Sequence, residues 1–260
     1  VIKFFYRLLI DLTNNIFISK LIKLFATSKV SRSLIPSFIK AFNIDETEAA
    51  NPRDQYNSLH DFFIRTLKSD ARPINFEPNS VISPVDALVE DIGIINQQKD
   101  IVVKGQIFSI KEMLGNDEKF IKYENGIYMI LYLSPKDYHR IHSPISGTIR
   151  SQWEVGGKSY PVNSWGLKYG RAPLSKNYRM ISEVEQDNRF IAIAKVGALF
   201  INSITLTHPN DILQKGDEIG YFSFGSTVVL LFEKDCFLPL KELKGERVKM
   251  GQRIGVFLQK

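Results

Sequence analysis

The sequence predicts an α+β fold, mainly β, in which amphipathic N-terminal helices precede a β-rich, barrel-sandwich-like domain. Three observations carry this reading. Apolar and basic residues at helical spacing fill 1–42, and short β-branched runs broken by Gly, Pro, Asn and Asp fill 81–260. Two motifs within that second part then recur at a distance, which points to an internal duplication.

The arm, 1–42, is the most apolar part of the chain and also the most basic. Lys3, Arg7, Asp11 and Asn14 form one narrow polar line along a helix whose other positions are Val, Ile, Leu and Phe. A second segment mixes Ile16, Phe17, Leu21, Ile22, Leu24 and Phe25 with Lys20 and Lys23, and a third, Leu34 to Phe42, is interrupted by Pro36. The arm holds seven basic residues against one acid, so 43–260 is left with 27 of each sign and the net charge of +6 sits entirely on the arm. No run reaches the ~18 uncharged residues of a spanning helix. Two readings stay open for these helices: they lie in a membrane interface with lysines near anionic headgroups, or they cover the core of the β-rich domain. The charge concentration favours the membrane.

Residues 43–80 read as a connecting helical segment, with a short amphipathic helix over Ser58–Lys68 and breaks at Arg72-Pro73 and Glu77-Pro78. The clearest strands beyond it are Ile101–Val103, Gly126–Leu133, Phe190–Val196, Phe200–Leu206 and Ser226–Phe232. Ser83-Pro84-Val85 followed by Val89 echoes Ser143-Pro144-Ile145 followed by Ile149, sixty residues later. Likewise Leu213 to Phe222 echoes Val248 to Phe257, each with a glycine turn before a strand and a second glycine within it. Such turns resemble those of barrel-sandwich carrier modules.

Composition narrows the function classes. The balanced charge of 43–260 gives no basic face for nucleic acid. The single cysteine, Cys236, rules out an internal disulfide and any multi-cysteine metal framework. His139 and His142 form an H-x-x-H pair, which binds metal only with further ligands and is otherwise a hydrogen-bonded loop feature; no metal is expected. Asp86, beside Pro84-Val85, either orients an imidazole or caps a turn. Gly225-Ser226-Thr227 at a strand start is common and carries nothing alone.

Together, in the order Asp86, His142 and Ser226, these pieces resemble the phosphatidylserine decarboxylases. Ser83-Pro84-Val85-Asp86 resembles that family's aspartate segment, and Asp137-Tyr138-His139-Arg140-Ile141-His142 its Asp-Tyr-His-Arg-Val-His block. Phe224-Gly225-Ser226-Thr227 resembles its Leu-Gly-Ser-Thr cleavage motif. Phe62-Phe63-Ile64-Arg65, Tyr160-Pro161-Val162-Asn163, Lys176-Asn177-Tyr178-Arg179 and Val196-Gly197-Ala198 also have counterparts, so the likeness spans nearly the whole chain and looks like the short bacterial form. Ala87 replaces a frequent Gly and Phe224 a frequent Leu, and neither change removes a reacting group.

The resemblance implies a catalytic domain that cuts itself between Gly225 and Ser226 into a β chain, 1–225, and an α chain, 226–260, which remain associated. Asp86, His142 and Ser226 would form the self-cleavage triad. Ser226 would become a covalent pyruvoyl cofactor that condenses with the substrate amine, and His139 would serve decarboxylation or substrate positioning. The implied partners are phosphatidylserine and an anionic membrane surface, with a homodimer left open, and the implied location is peripheral on the cytoplasmic face of the cell membrane. The alternatives are a serine peptidase or esterase using the same triad on an intact chain, a non-enzymatic carrier module, and a decarboxylase of another amino acid or lipid.

Overall fold

The computed structural model describes residues 16–95, 100–103, 106–115, 119, 121–162, 164–169, 172–198, 204–223 and 225–258. The first apolar segment of the arm, 1–15, lies outside the described residues, as do Phe224 and 200–203 of one expected strand.

Helices come first: α1 (Ile16–Thr27), a 3-10 turn at Lys29–Leu34, α2 (Ile35–Phe42) and α3 (Leu59–Phe63). Pro36 begins α2 rather than interrupting it, because a first-turn residue needs no intrahelical N–H partner. The helix expected over Ser58–Lys68 is shorter. Ser58 caps it as expected, but Arg140 Nε takes the Ile64 carbonyl (3.0 Å), and Lys68 N–H turns to the Glu48 carbonyl (2.9 Å). Ile35, Ile44, Tyr56 and Phe62 form a small core that holds the helices to one another.

The body is built of β1 (Ser80–Ile82), β2 (Ala87–Ile94), β3 (Asp100–Val103), β4 (Gln106–Ser109), β5 (Ile127–Leu133), β6 (Arg140–His142), β7 (Gly147–Val155) and β8 (Arg179–Gln186). Next come β9 (Arg189–Gly197), β10 (Ile204–Leu206), β11 (Ile212–Leu213), β12 (Glu218–Phe222), β13 (Ser226–Phe232), β14 (Phe237–Pro239), β15 (Arg247–Val248) and β16 (Arg253–Phe257). Short helices α4 (Ile110–Leu114), α5 (Ser164–Tyr169) and α6 (Pro173–Lys176) interrupt them, none of which the sequence pattern had announced.

An antiparallel eight-stranded sheet runs in the order β11-β7-β8-β9-β13-β5-β2-β15, beside three-stranded sheets β1-β16-β14 and β10-β12-β6 and the β3-β4 hairpin. The sheets do not close into a barrel; the mainly β α+β class holds. Strand β13 is central and apolar on both faces: Val228 and Leu230 enter one core, Val229 and Leu231 the other.

The duplication is visible in the pairing. β1 and β2 pair with β16 and β15, while β6 and β7 pair with β12 and β11. Register slips fall at equivalent places, between Val89 and Asp91 and between Ile149 and Ser151. Gly216 and Gly251 both adopt left-handed φ, +92° and +85°, and donate to the Ser143 and Ser83 carbonyls respectively. The two repeats then join through crossed bonds, Ile82 N–H to the Pro144 carbonyl (3.1 Å) and His142 N–H to the Pro84 carbonyl (2.9 Å).

One buried group sets a pH dependence of stability. Lys195 in β9 is fully buried, donates to Ser182 Oγ (2.5 Å), and burial pushes its ammonium down to about 7. An unfolded lysine holds its proton to about pH 10.4. Between those values the unfolded chain binds the extra proton, so this residue makes the fold more stable as pH rises. Lys195→Met, close in volume and uncharged, should therefore melt above the native protein near pH 7, with the advantage shrinking toward about pH 10. Thermal unfolding at the two pH values checks this; a constant offset would remove the argument.

Candidate active site

Antiparallel pairing brings four chain segments to one end of the large sheet. Ser226, first in β13, lies opposite Leu133 at the end of β5 and Gly197 at the end of β9. Leu88 in β2 pairs with Tyr132, which sets Asp86 just beyond the same end. Leu133 also leads directly into the loop that carries His139 and, through β6, His142.

Ser226 is completely buried and its Oγ has no hydrogen-bond partner. A buried hydroxyl left unpaired costs about 1–3 kcal/mol, so a purely structural residue rarely keeps one. The preceding carbonyl, that of Gly225, accepts the Ala198 N–H at 2.9 Å. That single donor polarises the carbonyl carbon one residue before the free hydroxyl.

Both histidines are buried and both rings are oriented by the backbone. His139 Nδ1 donates to the Asp137 carbonyl (2.9 Å), and its Nε2 is left as a buried lone pair without a partner. Its ring lies against Phe63, centroids 4.0 Å apart. Burial, helped by the charge of Arg65, pushes its pKa down to about 3, so the ring is neutral. His142 Nδ1 donates to the Gly216 carbonyl (2.8 Å), while the Tyr138 hydroxyl donates to Nε2 (3.3 Å). Burial lowers its pKa too.

Asp86 is engaged elsewhere. Arg72 Nε donates to its Oδ1 (2.8 Å), Arg72 Nη2 to its Oδ2 (2.5 Å), and the Met250 N–H also reaches Oδ1 (2.8 Å). Arg72 further binds Glu48 (2.7 Å), whose carboxyl that bond pulls down to about 2. The repeat explains the site's asymmetry: Ser146, the counterpart of Asp86, accepts from Lys215 N–H (2.9 Å) as Asp86 accepts from Met250. Among the described residues no hydrogen bond joins Asp86 to His142. The carboxylate acts on both histidines through its charge, favouring their protonated forms.

A sequence profile described as phosphatidylserine decarboxylase matches residues 59–256. The chain belongs to the phosphatidylserine decarboxylase family. A protein of Anoxybacillus flavithermus (strain DSM 21510 / WK1) called phosphatidylserine decarboxylase proenzyme is 56% identical over 261 residues, covering 100% of this chain and 98% of that relative. A second protein of that name, from Geobacillus sp. (strain WCH70), is 56% identical over 256 residues, covering 98% of this chain and 99% of the relative. A third, from Bacillus thuringiensis subsp. konkukian (strain 97-27), is 48% identical over 254 residues, with 97% of each chain covered.

In this family member strand pairing places Ser226 and Asp86 at one end of the large sheet, the end from which the chain runs on into the loop of His139 and His142. Sequence reasoning missed Arg72, Tyr138 and the Gly216 carbonyl as their supports. Arg72 registered only as a residue before a proline, and Gly216 only as a turn. Their site roles depend on segments brought together across the duplication, which no local pattern encodes. Among the described residues no group of three or more His, Cys, Asp or Glu side chains gathers as a metal site.

Proposed function

We propose that this chain is a proenzyme that cuts itself between Gly225 and Ser226 and then decarboxylates phosphatidylserine to phosphatidylethanolamine. The observation that carries the reading is the unpartnered, buried Ser226 Oγ next to a polarised Gly225 carbonyl. A proton leaves Oγ as Oγ bonds to the Gly225 carbonyl carbon, and that proton ends on the Ser226 nitrogen as the C–N bond breaks. Loss of the Ser226 Cα proton then expels the Gly225 carboxylate, and water converts the resulting dehydroalanine to a pyruvoyl group with release of ammonia. The pyruvoyl carbonyl supplies an electron sink for breaking the substrate's Cα–carboxylate bond.

In this reading His142 moves the Ser226 proton: its Nδ1–H is fixed on the Gly216 carbonyl, and its Nε2 accepts once the Tyr138 hydroxyl that donates to it turns aside. Asp86, anchored by Arg72, stabilises the imidazolium through space. His139 faces the substrate as a neutral ring, and its Nε2 lone pair takes a proton from the substrate ammonium and returns it to the decarboxylated carbon. The α chain stays bound after cleavage, since all seven residues of β13 are laddered to β5 and β9. Mass spectrometry tests the scheme: fragments 1–225 and 226–260, the latter with a pyruvoyl terminus, should accompany conversion of lipid. An active enzyme that stays a single chain would refute it.

The helical arm supports a peripheral position on the cytoplasmic face of the cell membrane. No helix among the described residues is long and apolar enough to cross a membrane. The arm has two sides. Ala26, Ser31 and Ile35 are buried, Ser31 Oγ accepting the Leu59 N–H of α3 (2.9 Å), whereas Leu21 and Leu24 (66% exposed each), Phe25 (46%) and Val30 (71%) face outward among Lys20, Lys23 and Lys29. Apolar insertion would add to roughly 1 kcal/mol per basic residue near an anionic surface, and salt weakens only the second term. Replacing Leu21, Leu24 and Phe25 by Ser should thus release the protein from anionic vesicles in flotation, while salt alone releases only part. Self-cleavage should survive, because Ile35 keeps its place. Equal flotation of both proteins would assign membrane contact to another surface.

A further inference from the structure

Arg65 lies just past α3 and its residue is only 5% exposed. Nη2 donates to the Lys136 carbonyl (3.0 Å), but Nε and Nη1 have no partner, and among the described residues no carboxylate pairs with the guanidinium. A buried cation normally comes with an anion, since desolvation is otherwise uncompensated. Here the cation stands over the Phe62 ring (5.1 Å to the centroid), two residues from the Phe63 ring that packs on His139. It also holds the start of the loop that carries His139.

We propose that Arg65 is the receptor for the phosphodiester of the lipid headgroup, taken up on the guanidinium edge that carries the unpartnered Nη1. The proposal rests on phosphatidylserine being the substrate. The headgroup carries two anions, and chemistry separates them. Pairing the carboxylate with a buried guanidinium would stabilise the charge that must vanish as CO2 leaves, raising the barrier. The phosphodiester keeps its charge from substrate to product, so a fixed, always-charged guanidinium donor suits it at every stage. Neutralising Arg65 would also lift one of the influences that keep His139 unprotonated, just when a proton donor is required.

Because the contact is equal in ground and transition states, its loss should appear in KM and not in kcat. The test compares processed native enzyme with Arg65→Met and Arg65→Lys on phosphatidylserine in mixed micelles. KM should rise roughly ten- to a hundredfold in Arg65→Met, less in Arg65→Lys, with kcat held within a few-fold. Glycerophosphoethanolamine, which has the phosphodiester and no carboxylate, should inhibit the native enzyme competitively and lose that effect in Arg65→Met. N-acetylserine, with the carboxylate alone, should behave alike on both. Unchanged KM, a loss confined to kcat, or a lost response to N-acetylserine alone would overturn the proposal. So would both variants remaining uncleaved, which would make Arg65 a support for the 134–139 loop. A native enzyme that processes itself but leaves phosphatidylserine untouched would instead refute the substrate reading, and the proposal with it.

Discussion

Ser226→Ala is expected to remain one chain on a denaturing gel and to decarboxylate no phosphatidylserine, while the native sequence separates into 1–225 and 226–260. The effect is total because, in the proposed scheme, one residue serves two roles: its Oγ breaks the peptide bond, and its carbon skeleton becomes the electron sink. The variant should also fold at least as well as the native precursor. Its lost hydroxyl had no hydrogen-bond partner, so removal relieves an unsatisfied buried group and leaves room for only a small cavity. An unchanged or raised melting temperature together with zero activity would locate the defect in chemistry. A cleaved Ser226→Ala chain would mean that another nucleophile does the cutting.

The parts of this molecule that the sequence made legible are those written in local pattern. β13 declares itself by its five-residue apolar run, Val228–Phe232, and its burial on both faces follows from that. The paired glycine turns at Gly216 and Gly251 were readable because a left-handed φ at a tight turn favours glycine. Asp86, His139, His142 and Ser226 were found through motifs with few competing explanations once taken together. Charge partners were not legible in this way. Arg72 and Asp86 are close in sequence, but Glu48 and the Met250 N–H complete that cluster from far away. The expectation that Asp86 holds the His142 ring assumed the usual triad hydrogen bond. In this fold a backbone carbonyl holds the ring, and the carboxylate is tied to an arginine. The short helices α4, α5 and α6 escaped for a different reason. At four to six residues they are too brief for periodicity to build up, and packing decides them.

The histidine pair should divide cleavage from turnover. His142→Ala is expected to block self-cleavage, or slow it by about 10²–10⁴-fold, the usual worth of a positioned general base. Without it the Ser226 proton loses the acceptor whose ring the Gly216 carbonyl fixes. His139→Ala should still cleave, at least in part, since the Ser226 to His142 route is intact, yet it should fail to turn over substrate. The reason is placement: His139 packs on Phe63, two residues from Arg65, the guanidinium proposed to take the headgroup. His139→Gln guards against a folding artefact, because it keeps an amide that can still donate to the Asp137 carbonyl. Gel analysis reads cleavage and lipid chromatography reads turnover on the same samples. The opposite pattern has a structural rationale ready, for His139 Nε2 and Ser226 Oγ are both buried without partners in the uncleaved chain. A cleaved His142→Ala beside an uncleaved His139→Ala and His139→Gln would therefore make His139 the base and move His142 to the substrate.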